Sequence, residues 1–274
     1  MSLKYLLTGA VLAATTALAS PVLAATVQGD VPTGWTFNGN AGSGTADGDI
    51  VAAPTASGEY TYVSTTNGLS GVGALPGVGG TGNAENGSTM TTSSFTAAAG
   101  DNLEFFFNYL TSDGSGFADY AWARLLDDAG GQVALLFTAR TTPGGSSVPG
   151  FSMPVPEATL TPSSVNIVPN ATDWSAIGSD SGRCFATGCG HTGWVESNFM
   201  IADAGDYQLQ FGVTNWNDSQ FASGMAIAGA NIGGVNINPN DPPVNPNPIP
   251  LPAGGVLLIG ALGAIGMMRR RKRS

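Results

Sequence analysis

The apolar residues of this chain recur with the spacing of a β-strand and not with that of a helix. Away from the two apolar ends, no window of more than ten residues shows a 3.6-residue period. Residues 102–110 (Asn-Leu-Glu-Phe-Phe-Phe-Asn-Tyr-Leu) are the strongest strand candidate, and residues 59–63 (Glu-Tyr-Thr-Tyr-Val) alternate with a period of two. These patterns restrict the folded part of the chain to an all-β structure.

Further strands are predicted along the same stretch, at residues 34–38, 88–96, 119–126, 132–138, 207–214 and 223–232. Residues 127–131 (Asp-Asp-Ala-Gly-Gly) accept turn conformations, so the two segments that flank them are predicted to form a β-hairpin. Strands with this spacing indicate an antiparallel β-sandwich, and a jelly roll is the arrangement that we expect.

Composition divides the chain into four parts. Residues 1–24 have the basic start, apolar middle and small-residue end (Val22-Leu23-Ala24) of a secretory signal peptide for signal peptidase. Residues 25–235 form the predicted sandwich, a length that suits one all-β domain. Residues 236–248 are rich in Asn-Pro pairs and are predicted to be an extended linker. Residues 249–274 form a distinct tail.

The tail has three ordered parts. A box of Ile249, Pro250, Leu251, Pro252 and Ala253 precedes an uncharged apolar run to residue 268, and a cationic cluster follows (Arg269, Arg270, Arg271, Lys272 and Arg273). As a helix, the 16 residues of the run would reach about 24 Å, which makes a short transmembrane helix. The cations would stop transfer and stay on the cytoplasmic side, so transient membrane anchoring is expected.

These three parts resemble the VPLPA-CTERM sorting signal, a relative of PEP-CTERM, although the family box begins with Val and this one with Ile249. The resemblance implies a Gram-negative exported protein that an exosortase-type transpeptidase processes near the box. It further implies a location at the cell surface or in the extracellular matrix, after export through the inner membrane.

The charge of the secreted part excludes several functions. Outside the two terminal segments the cations are Arg124, Arg140 and Arg183, against 19 acidic residues, which gives a formal charge of −16. Such a surface repels phosphate backbones, so no nucleic-acid partner is expected. Because this part has no lysine, Schiff-base catalysis, Lys-Asn isopeptide cross-links and a Walker-type phosphate lysine are all excluded.

Cys184 and Cys189 are separated by four residues in a chain that is predicted to be exported. An even pair this close predicts a disulfide. Cys184, Cys189 and the nearby His191 would be too few ligands for a structural zinc site. The small loop limits the stabilisation to about 2 kcal/mol in the loop-entropy account.

The segment that follows the strongest strand, residues 111–122, contains two carboxylates among glycines and hydroxyls. Asp113 and Asp119 are candidate ligands of a structural Ca²⁺, together with backbone carbonyls that the glycines free. The alternative is a loop capped by Asx turns, without any metal. No other cofactor is predicted.

Trp174, Trp194 and Trp216 lie in or beside polar, Gly-rich segments. Exposed tryptophan rings stack on sugar faces, so these three residues are candidate ligand-binding residues; the alternative is packing in the core. Residues 204–232 resemble the closing strands of galactose-binding-like jelly rolls. Many of those domains carry an acidic Ca²⁺ ligand in the last strand, whereas residues 227–229 here are Ile-Ala-Gly.

The expected function is therefore that of a non-enzymatic surface protein that associates with extracellular polysaccharide and has no catalytic residues. The alternative is a secreted carbohydrate-active enzyme, a glycosidase or lyase, that uses paired carboxylates. No spacing in the sequence selects such a pair. A cleft with two close carboxylates and an exposed tryptophan would favour the enzyme.

Overall fold

The computed structural model describes residues 30–142 and 144–241. Sixteen strands lie in these ranges, with two short 3₁₀ segments at Ser115–Phe117 and Ser175–Asp180. The strands are β1 (Thr36–Asn38), β2 (Asn40–Gly44), β3 (Tyr60–Ser64), β4 (Leu69–Ser70), β5 (Ala84–Thr91), β6 (Phe95–Ala97), β7 (Asn102–Thr111), β8 (Tyr120–Asp127), β9 (Gln132–Arg140), β10 (Thr159–Thr161), β11 (Val168–Pro169), β12 (Gly190–His191), β13 (Val195–Met200), β14 (Gly205–Trp216), β15 (Ser223–Ile232) and β16 (Val235–Asn236).

The strands form two antiparallel sheets that face each other as a sandwich, so the predicted all-β fold is confirmed. One sheet has the order β1-β5-β14-β8-β9, and the other has the order β10-β13-β7-β15-β3-β2. The remaining short strands pair at their sides. Most neighbouring strands in each sheet are distant in sequence, as expected when the chain passes repeatedly from one sheet to the other.

The hairpin of β8 and β9 confirms the turn prediction. The pairing runs from Tyr120 opposite Arg140 to Leu126 opposite Gln132. At the turn, the backbone N–H of Gly131 donates to the Asp127 carboxylate at 2.7 Å, which is the local side-chain bond that favours Asp in turns. The last long strand, β15, has the bounds that its small apolar residues predict.

The main core lies between the sheets. On β7, residues at alternate positions point into it, namely Leu103, Phe105, Phe107 and Tyr109. The rings of Phe107 and Phe137 stack face to face across the two sheets with centroids 3.7 Å apart. The predicted alternation is therefore present on β7, because the apolar face of the strand packs in the core.

The outer faces of both sheets are also covered by long loops. On one sheet, Tyr60 and Tyr62 pack under the segment that carries Trp174 and Ile177. On the other sheet, Tyr120 and Trp122 pack with Leu75, Leu135 and Trp216. Two smaller apolar clusters thus flank the main core. Several strands therefore bury aromatic residues on both of their faces.

Several elements differ from the sequence predictions. The predicted strand 88–96 is divided, because β5 and β6 pair with separate parts of β14. β13 was not predicted, because its polar residues obscure the alternation, although Ser197 is buried and donates to the carbonyl of Leu136 at 3.0 Å. The domain boundary at residue 235 is wrong, since β16 pairs with β15 and Ile237 lies in the core.

Candidate functional site

Three loops meet at one end of the sandwich. They are residues 112–119 between β7 and β8, residues 181–189 before β12, and residues 217–222 between β14 and β15. Backbone hydrogen bonds join them, because the N–H of Ser112 donates to Ala222 and the N–H of Phe185 donates to Ser112. We call this region the three-loop end, and it brings together residues that are up to 110 positions apart.

Each loop contributes one phenylalanine to a cluster at the surface, here named the phenylalanine patch (Phe117, Phe185 and Phe221). The Phe117 and Phe185 centroids are 5.5 Å apart, and those of Phe185 and Phe221 are 4.9 Å apart. Phe185 is 50% exposed, and the other two rings are half-buried. The guanidinium of Arg183 lies 4.7 Å from the Phe221 ring. The patch offers an aromatic surface edged by a charged group.

The backbone at Phe221 is strained. Its φ angle is +54°, a left-handed conformation that is a genuine outlier for a bulky side chain. Such strain persists where the surroundings hold a residue in place, and it is enriched at functional positions. The direction of the Phe221 ring is therefore maintained at a conformational cost.

A disulfide between Cys184 and Cys189 fixes the loop that carries Phe185. The predicted pairing is confirmed, with Cα atoms 5.7 Å apart. The neighbouring loop approaches so closely that a Cβ on Gly114 would lie 2.7 Å from that of Ala186. Glycine at position 114 thus permits the contact that places Phe117 beside Phe185.

Carboxylates lie beneath the patch. Asp113 is 2% exposed and Asp119 is 1% exposed. Burial raises the pKa of Asp113 to about 7, and the charges of Asp218 and Asp180 add to the rise. Burial, followed by the charge of Asp113, raises the pKa of Asp119 well above its ordinary value. The structure therefore joins Asp218 and Asp180 to the pair that the sequence indicated.

Asp119 is held by two hydrogen bonds. Its Oδ1 accepts from the backbone N–H of Trp216 at 2.8 Å, and its Oδ2 accepts from the Ser223 hydroxyl at 2.6 Å. In the described part of the chain, no three His, Cys, Asp or Glu side chains are close enough together to hold a metal ion by themselves. A Ca²⁺ site at Asp113 and Asp119 stays a prediction, and it would require oxygen ligands of other kinds.

The tryptophan prediction is wrong for two of its three residues. Trp174 is 1% exposed and Trp216 is 6% exposed, so neither presents a ring face to a ligand. Both belong to the clusters that cover the outer sheet faces, and the Nε1 of Trp174 donates to the Tyr60 hydroxyl at 2.9 Å. Trp194 is half-buried, and its Nε1 donates to the carbonyl of Val51.

The exposed aromatic rings near the loops are instead those of the phenylalanine patch, which the sequence patterns did not predict. A signal was available, because an apolar side chain inside a short disulfide loop has little chance of reaching the main core. Phe185 is such a residue. Phe117 and Phe221 gave no comparable signal, since only the tertiary structure places their loops beside the disulfide.

A second feature is a cavity of about 420 Å³ at the edge of the sheet that contains β3. Glu59 and Asp241 both line it, beside Tyr60 and the amides of Asn238 and Asn240. Burial raises the pKa of Asp241 to about 6, and the charge of Glu59 contributes to the rise. Two carboxylates that line one cavity are the kind of arrangement that the enzyme alternative would use.

The terminal predictions lie outside the described residues. These are the signal peptide at residues 1–24, most of the linker at 236–248, and the sorting tail at 249–274 with its box and cationic cluster. Over residues 30–142 and 144–241, no helix has the length and apolar character needed to cross a membrane.

No family model matches the chain, and no curated protein matches it. Similar solved structures include the enzymatically active domain of tailspike protein 4 of bacteriophage CBA120, at 12% identity and a TM-score of 0.31. That match covers 73% of this chain and only 19% of the tailspike chain.

Two cleaved adhesin domains of the Lys-gingipain of Porphyromonas gingivalis are also similar. One has 12% identity and a TM-score of 0.36, and covers 76% of this chain and 94% of its own. The other has 12% identity and a TM-score of 0.33, and covers 76% and 97%. These scores are too low to support an inference about function.

Proposed function

We propose that this protein is an exported, non-enzymatic surface protein that binds extracellular polysaccharide through the phenylalanine patch. The observation that carries the proposal is the half-exposed ring of Phe185, held on a disulfide loop between Phe117 and Phe221. Aromatic faces stack on the apolar faces of sugar rings. The edge of the patch supplies hydrogen-bonding groups for sugar hydroxyls from Arg183 and Asp180, which form an ion pair at 2.8 Å.

The class of polysaccharide follows from charge. With a formal charge of −16 on the secreted part, anionic polymers are repelled at long range. Neutral polysaccharides pay no such penalty. A neutral chain of pyranose units is therefore the ligand class that the patch fits.

Export and sorting are the second element of the proposal. The signal peptide at residues 1–24 directs export, and the box at 249–253 with its apolar run and cations directs processing by an exosortase-type enzyme. Fractionation of producing cells tests this element. We expect that deletion of residues 249–274 removes the protein from the surface fraction, whereas Phe151→Ala leaves its distribution unchanged. Identical distribution of the deletion variant would refute the sorting role.

The strand order supports assigning the sandwich as a jelly roll. When β3, β5, β7, β8, β9, β13, β14 and β15 are numbered one to eight, one sheet has the order 2-7-4-5 and the other 1-8-3-6. Consecutive strands then alternate between the sheets, except the fourth and fifth, which form the β8–β9 hairpin within one sheet. This is the arrangement of two interleaved Greek keys.

A glycan array carrying neutral and acidic polysaccharides tests the binding function. We expect the purified protein to bind neutral polysaccharides and to ignore acidic ones. The absence of binding to any polysaccharide would remove the hypothesis.

The second candidate function is a carbohydrate-active enzyme, which the Glu59–Asp241 cavity favours. Incubation of the protein with polysaccharides that it binds, followed by measurement of new reducing ends or unsaturated products, decides between the two. Release of products that Glu59→Gln abolishes would support the enzyme. No release over an extended incubation would support the binding protein.

A further inference from the structure

We propose that the cavity beside β3 is a second carbohydrate site, which binds one neutral pyranose unit. This cavity, here named the edge cavity, is the one that Glu59 and Asp241 line together with Tyr60, Asn238 and Asn240. None of its lining residues belongs to the loops of the three-loop end. The proposal rests on the proposed function for the class of polymer, but its binding site is separate from the phenylalanine patch.

The edge cavity exists because β3 and β15 separate from each other. Their pairing ends where Thr61 lies opposite Ile227, and the register of β15 against β7 then shifts between Ala228 and Asn231. Residues 238–241 line the resulting gap, where the Nδ2 of Asn238 donates to the Oδ1 of Asp241 at 3.0 Å. Irregular pairing of this kind is common beside functional sites. The cavity is therefore formed by the backbone of the fold.

An unpartnered donor is the observation that points to a ligand. Trp35 is 6% exposed, and its indole Nε1 is buried without a hydrogen-bond partner within residues 30–142 and 144–241. Trp35 lines a narrow pocket of about 10 Å³, which has room for one water-sized group. This pocket adjoins the edge cavity, and the two share five lining residues, namely Glu59, Tyr60, Thr61, Asn238 and Asp241. Because a buried indole N–H usually finds an acceptor, a ligand hydroxyl in this pocket would complete it.

Acceptors without donors line the same space. The Glu59 carboxylate has no hydrogen bond and no ion pair among the described residues. Asp241 uses its Oδ1 to accept from Asn238, and its Oδ2 has no donor in the described part of the chain. No arginine lines the edge cavity. A ligand that enters it must therefore donate hydrogen bonds as well as accept one.

These requirements select a neutral ligand that is rich in hydroxyl groups. A metal ion or an ammonium group has no lone pair with which to accept from Trp35, whereas an anion would be repelled by Glu59 and Asp241. A hydroxyl both donates and accepts, so one pyranose unit can bond to the indole and to the carboxylates together. The volume of about 420 Å³ lies in the range of small-molecule sites.

Ligand-observed NMR titration of the full-length chain with glucose, galactose, mannose and N-acetylglucosamine tests the proposal. We expect saturable binding of at least one of these sugars. Phe185→Ala should leave this binding unchanged, because Phe185 does not line the edge cavity. Glucuronate carries a carboxylate, and it should bind at least tenfold more weakly than the best neutral sugar.

Two variants of the edge cavity provide the decisive comparison. Glu59→Ala removes an acceptor at an exposed position and should weaken sugar binding about tenfold. Its matched control is Glu85→Ala, an exposed position in the other sheet, which should bind as the parent does. Trp35→Phe removes the N–H but keeps an aromatic ring, and should weaken binding about fivefold. If Trp35→Phe does not fold, Glu59→Ala still decides.

The proposal is overturned if the parent binds none of the four sugars, or if Glu59→Ala binds them as tightly as Glu85→Ala does. Glucuronate binding equal to that of the neutral sugars would overturn it too. Sugar binding that Phe185→Ala abolishes would also overturn it and would assign the sugar to the phenylalanine patch. The proposed function fails separately, when Phe185→Ala leaves the binding of a neutral polysaccharide unchanged.

The same variants distinguish the two sources of a pyranose unit. Weaker binding of Glu59→Ala to the neutral polysaccharide would support a unit of the polymer as the occupant of the edge cavity. Parent-like polysaccharide binding by Glu59→Ala, together with its loss of monosaccharide binding, would support a free sugar.

Discussion

The hydroxyl of Ser223 donates a 2.6 Å hydrogen bond to the buried carboxylate of Asp119. Ser223 begins β15 in one sheet, and Asp119 directly precedes β8 in the other. The bond therefore links the two sheets at the end of the sandwich where the three loops meet. It also fixes the position of the Asp119 carboxylate.

Replacing Ser223 with alanine should lower the free energy of unfolding by about 1.5–3 kcal/mol, because a buried carboxylate loses a donor. Urea denaturation with an unchanged slope measures this loss. Ser219→Ala, in the exposed part of the preceding loop, should stay within about 0.5 kcal/mol of the parent. Equal effects of the two variants would show that the bond does not stabilise the fold.

The burial of Trp174 in the core gives a second prediction. Trp174→Phe removes the donor to Tyr60 and leaves that hydroxyl buried without it, so the free energy of unfolding should fall by about 2–3 kcal/mol. Trp194→Phe loses a bond at a half-buried position and should cost less than about 1 kcal/mol. Chemical denaturation compares them, and a larger loss for Trp194→Phe would contradict the assignment of Trp174 to the core.

The left-handed backbone at Phe221 gives a third prediction. Both Phe221→Ala and Phe221→Gly remove the ring, but glycine adopts a φ of +54° without strain. The glycine variant should therefore be more stable than the alanine variant by about 1 kcal/mol. Thermal or urea melting of the pair measures the difference, and a more stable alanine variant would mean that the backbone relaxes when the ring is removed.

Local signals in the sequence predicted the parts of the fold that depend on neighbouring residues. The hairpin of β8 and β9 follows from the Asp-Asp-Ala-Gly-Gly turn, and β15 follows from its run of small apolar residues. The disulfide followed from the close spacing of two cysteines in a chain that is predicted to be exported. In each case, the residues that decide the structure lie within a few positions of one another.

The parts that failed depend on contacts between distant segments. Trp174 lies 114 residues from the tyrosine that it binds, and nothing near it in sequence reveals that its loop crosses the outer face of a sheet. The proximity of Asp180 and Asp218 to Asp113 was not predicted for the same reason, because the three residues lie on loops that are distant in sequence. Gly-rich surroundings made the tryptophans resemble exposed loop residues, whereas the glycines allow those loops to pack closely.

The pH dependence of stability tests the state of Asp241. Its pKa of about 6 in the folded protein exceeds the ordinary aspartate value of 3.8, so the folded state binds more protons between these values and stability falls as pH rises through this window. Asp241→Asn lacks this loss. Its stability relative to the parent should therefore increase by about 1 kcal/mol from pH 4 to pH 7, after allowance for solvent screening at a half-buried group.

Urea midpoints of the parent and of Asp241→Asn at each pH give this difference directly. Asp128→Asn, at an exposed turn position, serves as the control. A difference between parent and Asp241→Asn that is flat from pH 4 to pH 7 would show that burial beside Glu59 does not raise the pKa of Asp241.

Affinity electrophoresis in gels that contain a neutral polysaccharide identified on the array tests directly whether the phenylalanine patch binds the polymer. Phe185→Ala removes the exposed ring of the patch, and Phe151→Ala removes a 60% exposed ring elsewhere. Loss of a stacking residue at the centre of a binding surface costs about 1.4 kcal/mol or more, which is a tenfold loss of affinity. We expect that loss for Phe185→Ala and parent-like retardation for Phe151→Ala. Equal retardation of both variants and the parent would refute polysaccharide binding by the phenylalanine patch.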